Sequence, residues 1–70
     1  MAHPLLQFFE FGHLPPALGA VSRRFHLLAE ELDRHLPANA EKTTALRKLL
    51  EAKDCAVRSV LYRRGEGEPG

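Results

Sequence analysis

The 70-residue sequence predicts an all-α fold, an antiparallel helical hairpin with a short N-terminal aromatic segment, and three observations predict it. The stretch Thr43–Tyr62 holds no Gly or Pro and is rich in Ala, Leu, Glu, Lys and Arg, the strongest helix formers. Leu18, Val21, Phe25, Leu28, Leu32 and Leu36 recur at steps of three and four, the spacing of one helix face. Only a short turn, Leu36-Pro37-Ala38-Asn39, separates the two patterns. It is too short for a crossover, so the helices run antiparallel.

Taken in order, the chain opens with Leu5-Leu6-Gln7-Phe8-Phe9-Glu10-Phe11, which holds three of the four phenylalanines and is stopped by Gly12. One or two helical turns fit here, and so aromatic a segment must dock on something. Leu14-Pro15-Pro16 resets the backbone, because a residue before proline is pushed out of the α region. Pro16 is then a natural first helical position. The first helix runs from about 16 to 35, with Gly19 as its weak point and a candidate close crossing. Glu30 and Arg34 have the spacing of a favourable surface ion pair. Asn39 is the expected N-cap of the second helix, about 40 to 63, with Glu41 in its first turn. Residues 1–64 form a single helical-hairpin domain, and 65–70 read as a frayed tail with no apolar anchor.

Composition narrows the function classes. A domain this small buries only about 60% of its unfolded surface and usually needs a staple. One cysteine, Cys55, allows no internal disulfide, and the four histidines do not pair at zinc-finger spacing. That leaves oligomerisation, and a single cysteine without an apparent leader suits a reducing cytoplasm. No apolar run approaches the ~18–20 residues of a membrane span. Ten basic and nine acidic residues give a net charge of +1, without the strongly basic face that duplex DNA demands. A small anionic ligand, needing two or three cations, stays open.

The second helix carries the main oddity. Ala45, Leu46, Leu49, Leu50, Ala52, Ala56, Val57, Val60 and Leu61 cover roughly half its circumference, wider than one core surface needs. The breadth predicts contact with a second chain and assembly into a homo-oligomeric helical bundle. Lys53 sits inside this arc. It is either a snorkelling lysine whose methylenes cover apolar surface or an ammonium held at a subunit seam for an anionic ligand.

The other candidates each carry two readings. Arg47 and Arg58 stand beside Glu51 and Asp54 as surface ion pairs, or Arg58 offers its planar fork to a phosphate. His26 is a boundary residue beside Ser22 and Glu30, or a ring that meets a base or phosphate. Arg23 and Arg24 diverge on the helix, so only one can flank the same pocket. Phe8, Phe9 and Phe11 are docking residues, with Phe11 also a candidate stacking platform. Catalysis finds no support: Cys55 has no histidine on its helix face, and no P-loop, HExxH or nucleophile elbow occurs. The chain is not expected to be an enzyme, and no metal or cofactor is expected.

Three features together resemble a known family: an aromatic just before the first helix (Phe11), the Phe25-His26 pair within FHLLAEEL, and the step Val57-Arg58-Ser59-Val60 late in the second helix. Over about residues 9 to 61 the chain looks like the small phage proteins that act as cyclic-nucleotide sponges against CBASS immunity, relatives of sponges that counter Thoeris. The resemblance implies a homo-oligomer, a hexamer in the best-known form, in the cytoplasm of the infected bacterial host. It further implies that cyclic di- or trinucleotides are held between protomers and never cleaved. Carried over, Phe11 stacks on a base, His26 stands where the family has a lysine near the phosphates, and Arg58 contacts ligand. Phe11 lacks the family's phenol hydroxyl, and imidazole is a weaker phosphate partner than lysine, a deficit that Lys53 can supply. The ligand-binding set is therefore Phe11, His26, Lys53 and Arg58, with Arg24 and Arg47 secondary. The alternative is a small interaction or scaffold module whose broad apolar face binds a partner helix. A third reading, a nucleic-acid accessory protein, would use Arg23, Arg24, Arg63 and Arg64.

Overall fold

Residues 3–65 are described in a computed structural model, with side chains up to residue 61. A six-residue 3-10 turn, Pro4–Phe9, leads into two long helices, α1 (Pro16–His35) and α2 (Ala40–Gly65). The two helices pack against each other as a hairpin, and the lead-in turn lies against both.

Local chemistry sets each boundary. His3 Nδ1 accepts the Leu5 backbone N–H at 3.1 Å and caps the lead-in. Pro16, whose ring presets φ and whose missing N–H costs nothing in a first turn, opens α1. Its end is closed by the Leu36 N–H donating to the Leu32 carbonyl at 2.9 Å, after which Leu36, preceding Pro37, is extended. Asn39 Oδ1 then accepts the Lys42 N–H at 2.8 Å, the N-cap bond that satisfies one orphan donor of α2. Gly65, expected to begin the tail, is the last residue of α2. Residues 66–70, the rest of that expected tail, lie outside the described residues.

The core is small. Phe9, Ala29 and Leu46, one residue from each element, are fully enclosed, and Leu5, Leu6, Phe25, Leu32, Leu49 and Leu50 pack around them. The aromatic lead-in therefore docks within its own chain, and Phe9 is the docking residue. Part of α2's wide apolar arc is thereby covered within the chain itself. Leu46 is buried, and Leu49, Leu50, Ala56, Val57 and Val60 are half-buried beneath two elements, α1 and the lead-in. Only Ala45, Ala52 and Leu61 of the arc are exposed.

Helix α1 departs further from expectation. Its buried row is Gly19, Ser22 and Ala29, centred roughly 90° around the helix from the stripe of large apolar residues. Phe9 packs with Ala29 of this row, while Val21 and Leu28 lie to the flank. Gly19 is not a helix crossing: a Cβ there would meet the Phe11 carbonyl at 3.4 Å and the Leu14 carbonyl at 3.8 Å, so its close neighbour is the loop before α1.

A polar clasp ties the three elements at one end. Asp33 Oδ1 meets Lys42 Nζ at 2.8 Å, and the same ammonium donates to the Asp33 carbonyl at 3.0 Å. The His3 N–H donates to Asp33 Oδ2 at 3.5 Å, and His3 Nε2 lies 3.1 Å from Thr43 Oγ1. With Nδ1 accepting at the cap, the ring proton belongs on Nε2, which donates to the Thr43 hydroxyl. The Lys42 hydrogen bond holds the Asp33 carboxyl below the usual carboxylate range, against an opposing effect of desolvation.

Candidate functional site

A groove of about 350 Å³ lies where the lead-in and the loop before α1 face the second half of α2. Lys53 and Arg58 enter from α2, while Phe8, Glu10 and His13 come from the opposite wall. The periodicity of α2 explains the first pair: Lys53 points inward near the centre of the apolar arc, and Arg58 stands on the exposed side. Lys53 is only 13% exposed, and its Nζ lies 3.0 Å from Asp54 Oδ1. Its methylenes thus cross apolar surface and deliver the ammonium to a carboxylate at the rim, as a snorkelling lysine does. The Arg58 Nη2 donates to Cys55 Sγ at 3.4 Å, a weak bond that leaves the fork's other donors for something stronger. Two formal cations and two acids, Glu10 and Asp54, face this groove, so an anion entering it must compete with Asp54 for Lys53.

Phe11 and His26 form a second, separate cluster. Their ring centroids are 5.2 Å apart at an interplanar angle of 66°, an edge-to-face contact. His26 Nε2 lies 3.2 Å from Glu30 Oε2. Glu30 therefore pairs one turn back with His26, not forward with Arg34 as expected. His26 Nδ1 and the wholly buried Ser22 Oγ have no hydrogen-bond partner. Ser22, His26 and Glu30 make a row at i, i+4 and i+8, but an enclosed serine presents no nucleophile to a substrate. A shallower depression of about 470 Å³ runs over His26 and Glu30 and shares Gln7 and Glu10 with the first groove. The lead-in is thus the partition between the two clusters.

The predicted set is divided by this geometry: Lys53 and Arg58 share one groove, Phe11 and His26 pack together on the other side of the lead-in. Arg24 lies elsewhere, beside Val21, Phe25 and Leu28 in an apolar groove of about 390 Å³ on α1. Arg47 is exposed on α2. The expected pairs of Arg47 with Glu51 and Arg58 with Asp54 are replaced by Lys48 with Glu51 at 3.8 Å and Lys53 with Asp54.

Two residues enter that the sequence did not favour. Phe8, 54% exposed, is the aromatic that shares a wall with Lys53 and Arg58, and His13 joins them. At about three residues per turn, neighbours Phe8 and Phe9 must face different ways, so one of the two was bound to be solvent-facing. Which one follows only from the docked lead-in.

No helix among the described residues is long and apolar enough to cross a membrane, and no cluster of three or more metal-ligating side chains occurs among them. Comparison of the chain with protein-family models, with curated proteins and with solved structures finds no match.

Proposed function

We propose that the chain, like the phage sponges it resembles, holds a cyclic oligonucleotide in a homo-oligomer without cleaving it, and so keeps a bacterial immune signal from its effector. The observation that carries this reading is the groove in which Lys53 and Arg58 share walls with the exposed ring of Phe8. Cations for phosphate and an aromatic face for a base are the two things such a ligand asks of a protein. In this arrangement Phe8 is the stacking platform, and Phe11 with His26 stands behind the lead-in. At about 350 Å³ the groove is at the lower end of the ~300–1,000 Å³ typical of small-molecule sites. A second protomer completes the enclosure of a ligand carrying two or three phosphates.

Titration calorimetry against a panel of cyclic di- and trinucleotides tests the reading. Binding is expected for at least one member, with the ligand recovered intact. Arg58→Ala weakens it by about tenfold or more, the loss of one charge-assisted hydrogen bond. Asp54→Asn, which frees the Lys53 ammonium, strengthens it. No heat with any member well above micromolar concentration overturns the proposal.

A second reading, a module that binds a partner helix, is favoured by one observation, the exposed apolar groove along α1. It predicts a monomer or dimer alone and a gain in helicity with its partner.

A further inference from the structure

The apolar groove on α1 is separate from the cationic groove and borders the core through Phe25. Val21, Phe25 and Leu28 line it with Arg24, and Leu28 and Leu27 remain 42% and 46% exposed. These are the large residues displaced from the hairpin's centre by Gly19, Ser22 and Ala29. We infer that this face of α1 is the contact between two copies of the chain, packed antiparallel about a two-fold axis passing near Leu28, with Arg24 of each copy against Glu31 of the other.

Charge complementarity names a second copy as the occupant. Arg24 and Glu31 are both exposed and seven residues apart, so they lie on the same flank of the apolar stripe. The opposite flank is taken up by the buried row that faces the hairpin's own core. Only one flank is open, and two helices that meet through the same flank must run antiparallel. In the register that places residue 24 opposite residue 31, both cross-pairs are Arg with Glu, and Leu28 of each copy lies beside the axis. A self-complementary patch of this kind closes as a dimer and leaves no open end. The inference adds to the assembly in the proposed function a contact distinct from any that encloses the cationic groove, and it does not need the ligand. The cationic groove and the α1 face are separate surfaces, read by separate measurements.

Sedimentation velocity and light scattering over a dilution series test the contact without added ligand. Wild type is expected to show a dimer or a multiple of it. Arg24→Glu and Glu31→Arg each place like charges together twice and shift the dissociation midpoint at least tenfold toward monomer, with the helical signal in circular dichroism unchanged. The double variant restores both pairs in reverse and recovers assembly. An equimolar mixture of the two single variants does the same, because each cross-pair is again opposite in charge. The inference is overturned by a wild-type chain that is monomeric at all concentrations, or that associates only with a foreign helix. Single variants that assemble like wild type overturn it too, as does failure of both the double variant and the mixture to recover. A dimer disrupted in this way while calorimetry detects no cyclic nucleotide would leave the contact standing and sink only the ligand.

Discussion

Helices α1 and α2 carry similar apolar content but use it in opposite ways. The broad arc of α2 faces inward, and even its cation, Lys53, lies across the covered surface with only its ammonium at the rim. The narrower, better-formed stripe of α1 straddles the boundary: Phe25 and Leu32 reach the core while Val21 and Leu28 line an open groove. A clean amphipathic pattern therefore does not say which part of the pattern is central. The centre of α1 goes to Gly19, Ser22 and Ala29, with Ala29 packed against Phe9 of the lead-in and Gly19 against the loop before α1.

This contrast predicts a ranked series of effects. The largest is Phe9→Ala. Emptying this fully buried aromatic site costs about 3–5 kcal/mol, against roughly 4–10 kcal/mol of total stability for a domain this size. Urea unfolding should then lose its cooperative transition. Next come paired truncations on the two helices. Leu46→Ala, at the enclosed centre of α2, is expected to cost about 2–5 kcal/mol, whereas Leu28→Ala on the open side of α1 costs under ~1 kcal/mol at concentrations too low for association. Equal losses in denaturant titrations would mean that the two helices are buried alike.

The Asp33 clasp yields a pH effect of intermediate size. Its folded carboxyl titrates below the ordinary range, so the group adds stability that is complete above its unfolded value of about 3.9. That stability is lost as pH falls through the lower folded value. The melting temperature should therefore drop on acidification below about pH 4, and Asp33→Asn should flatten that part of the profile. The smallest effect is Gly19→Ala. The added Cβ meets the Phe11 carbonyl at an ordinary 3.4 Å, and alanine favours helix by about 0.5–1 kcal/mol, so thermal melting should show a modest gain.

Local signals in the sequence were clear where the physics is local. Pro16 opening α1, Asn39 capping α2 and the short turn between them depend on residues within a few positions of one another. The ion pairs were less legible, because Asp54 and Glu30 each have several candidate partners within one turn. Rotamers and burial choose Lys53 and His26 over Arg58 and Arg34. The candidate site was the least legible. Phe11, His26, Lys53 and Arg58 were grouped by type and family pattern, yet the lead-in runs between the two pairs, and Phe8 takes the aromatic position beside Lys53 and Arg58.

Helix, turn, helix and an aromatic prelude were written in the order of residues alone, since proline geometry, side-chain capping and periodicity act over a few positions. Where the prelude docks, which face of α1 becomes interior and which phenylalanine meets the cations depend on three elements competing for one small volume. That competition is settled only when the chain is packed, because what each element leaves exposed depends on what the other two cover.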